Sequence, residues 1–156
     1  MNLYLAIKTL HILSSVLLVG TGFGSAFYLY FAHRTRSIAV IAPVTRLVVR
    51  ADWWFTTPAG LFQPLSGFWL AHAAGWAWKS PWIVAAVVLY GVAGMCWLPV
   101  VWLQIELTRM ARVASESHLT ELPERYWRFA KLWEGLGYPA FLAMVMIYFL
   151  MVFKPA

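Results

Sequence analysis

The stretch LYLAIKTLHILSSVLLVGTGFGSAFYLYF, Leu3–Phe31, holds only Lys8 and His11 as strongly ionisable groups. A helix rises about 1.5 Å per residue and a bilayer's hydrocarbon core is about 30 Å thick, so this segment is long enough to cross. It runs on into His33–Arg36, HRTR, and lacks the short apolar stretch and small-residue cleavage site of a secretory signal peptide. It therefore reads as a retained transmembrane helix.

The chain on either side of that segment repeats the pattern. From Ile38 a helical stretch leads through Arg46, Arg50 and Asp52 into the apolar run 53–74, where Pro58 and Pro64 predict a bend. Ser80 and Pro81 have the residue types of an N-cap and a first helical position; they open a third span, about 82–108, continuing through Pro99 to about Ala114. Pro123 can start a fourth helix, basic and amphipathic at first and apolar over 132–153. The expected fold is all-α: an integral-membrane four-helix bundle forming a single domain over residues 1–156.

Composition supports a lipid solvent, because 62% of residues are hydrophobic and 12% charged, where a soluble domain carries about 25% charged residues. Ten tryptophans and seven tyrosines suit the headgroup level, where aromatic belts form. The net charge of +6 lies beside apolar spans, where it sets orientation and attracts anionic lipid, so nucleic acid is not an expected partner. Cys96 has no cysteine partner, which excludes an intrachain disulfide and a cysteine-based zinc cluster. No nucleophile triad, phosphate loop or paired-carboxylate motif points to hydrolysis or nucleotide chemistry.

Basic residues retained on the cytoplasmic side set topology. The link between spans one and two holds Arg34, Arg36, Arg46 and Arg50. That between spans three and four holds Arg109, Arg112, Arg125, Arg128 and Lys131, while Lys79 and Lys154 lie on the other side. Both links are expected to be cytoplasmic, with the N and C termini extracytoplasmic, in a bacterial inner membrane. Gly20 with Gly24 and Gly67 with Ala71 are small-xxx-small pairs, packing faces by default. The first pair is also a candidate homodimer surface.

Ionisable groups at membrane depth are costly and face a bundle interior or a polar cavity. Lys8 and His11 lie on one side of the first helix, with Ser14 and Ser15 extending the stripe. His11 falls roughly 12 Å deep, where it either hydrogen-bonds a neighbouring carbonyl or acts as a ligand or proton carrier. Equal depths on the other helices bring Gly67, Tyr90, Met144 and Met146 beside it. His11 is thus the candidate metal ligand, with Lys8, Tyr90 and Met144 as cofactor-binding neighbours. His72 lies further out, and His33 and His118 fall in solvated links. A second polar set, Arg46, Arg50, Asp52, Gln104, Glu106 and Glu134, gathers where opposite charges should pair and close the bundle. Gln63 stands near mid-membrane, where its amide and a proline-freed carbonyl can bond each other or a ligand.

The runs LHILSSVLLVGTGFGSAF, TRLVVRADWWFTTPAGLFQPLSG, PVVWLQ and YWRFAKLWEGLGYPAFLAMVMIYFLMVFKP resemble a bacterial family of predicted integral-membrane proteins of unknown function, over nearly the whole chain. More distantly, an ionisable residue followed by LHI in the first helix is similar to the HemJ-type protoporphyrinogen oxidases and the CopD-type copper-resistance membrane proteins. The HemJ-type resemblance implies a haem b site, with His11 carried over, and porphyrinogen oxidation passing electrons to a quinone or other membrane carrier. The expectations are a haem-binding redox protein, or a non-enzymatic membrane module or transport accessory without cofactor, with copper handling through His11, Cys96 and methionines as a third class.

The charge asymmetry predicts that adding several lysines to the turn AGWAWKSPW (residues 74–82) weakens or inverts topology. Reporter fusions would check this, and a turn already cytoplasmic in the parent protein would contradict the assignment.

Overall fold

The computed structural model describes residues 2–155, and among them every regular element is helical. The first helix, α1, spans Leu3–Arg34 and opens on Asn2, whose side-chain oxygen accepts from the Tyr4 N–H at 3.0 Å. After a short link come α2 (Ile38–Ala51), a single π-helical stretch (Asp52–Thr56) and α3 (Thr57–Ala73), which together form one unbroken helical column. Two longer helices follow, α4 (Pro81–Glu116) and α5 (Glu124–Phe153). By length and composition α1, α4 and α5 could each cross a membrane. The fourth column is divided only by its wider turn, and its apolar part begins at Trp53.

The π turn has a local cause. Pro58 has no N–H to give the carbonyl four residues back, and its ring crowds that carbonyl, so the ordinary ladder cannot continue there. The chain widens instead, and the Thr57 N–H donates to the Asp52 carbonyl, five residues away. This turn buries Asp52 and Thr56 while leaving Trp53, Trp54 and Phe55 exposed. At Ser80 the backbone carbonyl accepts from Ile83 and Val84, and the side chain makes no capping bond. Pro81 therefore starts α4 without the hydroxyl cap that the residue type predicts.

Packing is concentrated at the arginine-rich end. Buried positions Ile38, Ile41, Ala42, Thr45 and Val48 recur at helical spacing on one face of α2. They press against Leu29 and Ala32 of α1 and against Leu103, Leu107 and Ala111 of α4, with Tyr126, Ala130 and Trp133 of α5 completing the cluster. Small residues at Ala32, Ala42, Ala111, Ala114 and Ala130 allow close backbone approach, the means by which helices associate in lipid.

Away from that end the helices separate into two pairs. α1 packs on α3 and α4 on α5, while α1 touches α5 sparingly and α3 makes no extensive contact with α4 or α5. No heavy atom lies within 4 Å of a Cβ built at Gly20 or Gly24. The expected packing face there is unfilled within the chain, because α1 turns its Gly67-facing side to α3 instead. The other small pair does pack: a Cβ at Gly67 would lie 3.2 Å from His11 Cε1.

A cross-pair bond reaches over the gap beyond the packed end. Pro64 frees the Gly60 carbonyl from the α3 ladder, and the Tyr90 hydroxyl of α4 donates to it at 2.5 Å. The freed carbonyl is thus satisfied by tyrosine, and not by Gln63, because Gln63 turns toward α1. Tyr90→Phe should destabilise the bundle by about 1 kcal/mol, read as a lowered Tm in detergent, whereas an unchanged Tm would mean that this carbonyl finds another donor.

Candidate functional site

The sequence-predicted residues separate into two sites. The first surrounds His11, where α1 meets α3. His11 Nδ1 lies 2.7 Å from the Ser66 hydroxyl, and the same hydroxyl lies 2.7 Å from the Phe62 carbonyl. Gln63 reaches the α1 backbone, and fixed backbone identities decide its orientation. Its oxygen accepts from the Ser15 N–H at 3.1 Å, and its NH₂ group donates to the His11 carbonyl at 3.3 Å and to Nδ1 at 2.8 Å.

This arrangement assigns the tautomer. Nδ1 facing an amide donor must be an acceptor, which places the proton on Nε2 of the neutral ring. Ser66 was missed by sequence reasoning although its signal was present, three residues after Gln63 on the same face. Lys8 is exposed and joins no ion pair among the described residues. Tyr90 and Met144, expected beside His11, belong to the second site.

The second site is a cavity of 570 Å³ between the two helix pairs, walled by α1, the π turn with α3, α4 and α5. Its lining is overwhelmingly apolar, with Leu18, Phe23, Leu61, Leu98, Phe141 and Met144 among the walls. Polar groups gather at the end nearer the packed core. Asp52 is buried there, with Oδ1 accepting from the Thr56 hydroxyl at 2.8 Å and the Gln104 amide directed to the same carboxyl. Glu134 also lines this end and accepts from the Tyr138 hydroxyl at 3.2 Å. Leu61, Leu98, Phe23 and Tyr138 of its walls are more than half exposed, so the cavity is open at its margins and not sealed inside the bundle.

The expected closing network of opposite charges does not form as a unit. Asp52 meets a hydroxyl and an amide, because it continues the buried face of Thr45 and Val48 at ordinary helical spacing while Arg46 and Arg50 stay exposed. Glu106 pairs with Arg109 at 2.7 Å and stands 3.9 Å from Arg125, a link between α4 and α5 outside the cavity. Gln63 belongs to the His11 site, and Gln104 and Glu134 to the cavity.

Of the remaining histidines, His33 departs most from expectation. Its Nε2 lies 2.9 Å from the hydroxyl of the fully buried Tyr126. Tyr126, Trp127 and Trp133 each meet its ring edge to face. The charged run HRTR concealed this, since the aromatic partners lie on a distant helix. His72 stacks on Trp78, and His118 is exposed in the link between α4 and α5, at φ 50°.

The fold and both sites fall inside one family match, which covers residues 5–155 and is described as a predicted integral membrane protein (DUF2269). The chain belongs to the DUF2269 family. No curated protein and no solved structure matches it. The sites of this DUF2269 protein are therefore read from their own chemistry.

Nitrogen NMR of labelled histidine should find His11 as the neutral Nε2–H tautomer. Gln63→Leu should shift that ring toward a mixture of tautomers and lower stability by about 1 kcal/mol. Dominance of the Nδ1–H form in the parent protein would refute the orientation assigned to Gln63.

Proposed function

We propose that this DUF2269 protein is a non-enzymatic binding module of the bacterial inner membrane, holding a lipophilic molecule between its two helix pairs. The supporting observation is the cavity itself: 570 Å³, apolar along its walls, polar at one end and open at its margins. Ligand sites are typically concave and apolar, with a few polar groups that fix orientation. Side openings let an apolar ligand enter from the hydrocarbon without crossing water. The arginine-rich end belongs in the cytoplasm by the positive-inside rule, so both termini lie outside and the ligand's head points toward the cytoplasmic leaflet.

The residues present do not fit a haem held by His11. A macrocycle ligated at Nε2 extends over both adjacent carbon edges of the imidazole, and the Cε1 edge is packed on Gly67. His11 is not among the cavity walls. Counting from Leu18, it lies roughly 10 Å along α1 from the cavity's apolar end. In this reading His11 joins α1 to α3 and supports the cavity from outside.

Gly22 and Gly94 line the cavity, and no heavy atom lies within 4 Å of a Cβ at either. Each can accept a larger side chain that projects into the space. Native mass spectrometry of the parent protein is expected to show a non-covalent lipophilic adduct, which Gly22→Trp and Gly94→Trp lose while retaining helicity. An adduct unaffected by both substitutions would overturn the reading. So would a His11-dependent Soret band after haem supplementation.

A further inference from the structure

The basic residues at the arginine-rich end divide into those the chain itself engages and those it does not. Arg34 donates to the Tyr30 hydroxyl at 2.6 Å, and Arg36 Cζ lies 3.9 Å from the centre of the Trp127 ring. Arg109, Arg112 and Arg125 stand 2.7, 3.9 and 3.9 Å from a glutamate oxygen. The side chains of Arg46, Arg50, Arg128 and Lys131 make no hydrogen bond, ion pair or cation–π contact among the described residues.

Two of these four have an acid at helical reach on their own helix: Glu124 precedes Arg128 by four residues, and Glu134 follows Lys131 by three. α2 holds no acidic residue, and the carboxyl that follows it, Asp52, is buried on the opposite face. Arg46 and Arg50 are thus a double positive charge that nothing nearby in the sequence offsets. Four residues apart, they stand one above the other on the exposed side of α2, with exposed Pro43 and Leu47 beside them. The indoles of Trp53 and Trp54, also exposed, follow three and four residues after Arg50.

The order of these residues matches the order of groups in a lipid leaflet. Indoles settle between headgroups and acyl chains. By simple rise, positions 50 and 46 lie about 5 Å and about 10 Å beyond Trp53, at the depth of lipid phosphates. Guanidinium forks bind phosphate oxygens in pairs. A zwitterionic headgroup brings its own ammonium, which offsets the phosphate; an anionic headgroup does not. We propose that the exposed face of α2 is a site for one anionic phospholipid, its phosphate held by Arg46 and Arg50 and its acyl chains passing Trp53 and Trp54. None of these four residues lines the cavity, so the site is independent of the cavity's occupant.

The test titrates the full chain in detergent with phosphatidylglycerol and phosphatidylcholine of identical acyl chains, read by native mass spectrometry. The expected result is saturable binding of one phosphatidylglycerol, about tenfold or more tighter than phosphatidylcholine. Arg46→Gln and Arg50→Gln should each weaken it about fivefold, and together about twentyfold. Arg128→Gln with Lys131→Gln removes the same charge from α5 and should change it less than about twofold, since distant exposed charges are screened. Gly22→Trp, inside the cavity, should leave it unchanged.

Equal weakening by the two double variants would reduce the effect to diffuse charge and overturn the proposal. Equal affinity for the two lipids would overturn it as well, and so would displacement of phosphatidylglycerol by an equimolar glutamate-rich peptide, which would assign the face to an acidic protein. If the Arg46 and Arg50 double variant does not insert, the parent protein is photo-cross-linked with a phosphatidylglycerol that carries a diazirine near the head of its acyl chain. The label should fall within residues 46–55, and labelling spread evenly around the bundle would remove the site.

Discussion

In hydrocarbon every backbone polar group must be satisfied within the protein, and the apolar part of the second helical column, residues 53–74, violates the simple solution twice. Pro58 and Pro64 each remove a donor from its ladder. The first interruption is met by widening the helix at Asp52–Thr56, the second by the Tyr90 hydroxyl from a different helix. Asp52 and Thr56, at the two ends of the wider turn, are buried while three large aromatic side chains face outward. The tyrosine bond joins two helix pairs that otherwise separate. The polar end of the cavity and its span between the pairs thus both follow from prolines placed in a crossing helix.

Packing determines where that space can exist. The amphipathic α2 wedges between α1 and α4 at the arginine-rich end, where alanines let the backbones approach and Tyr126 fills the centre. Beyond the reach of α2 no equivalent element fills the middle, so the pairs α1/α3 and α4/α5 diverge. Glycines at 22 and 94 add to the open volume, since neither has a neighbour where a side chain would project. A dense base and an open body thus set a closely packed platform beneath the cavity.

Much of the fold was legible because long apolar runs have few structural solutions in a bilayer. The helical stretch from Ile38 into the apolar run, the start at Pro81 and the entry at Pro123 were all readable from residue types. Depth counting also brought Gly67 to His11, where the two do meet. The same counting placed Tyr90 and Met144 too close to His11, because equal depth on separated helix pairs is not contact. His33 read as a solvated link residue because its enclosure depends on Tyr126, Trp127 and Trp133, more than ninety positions later. The fate of Asp52 was hidden for a subtler reason. Its sequence neighbours are arginines, but at six and two positions' distance on a helix they lie on the opposite face, while Asp52 continues the buried row of Thr45 and Val48.

Trp53 and Trp54, 61% and 73% exposed, directly follow the inward-facing Asp52. Indoles settle at the boundary between headgroups and acyl chains, so they moor the bundle vertically and hold that acid just beneath the water line.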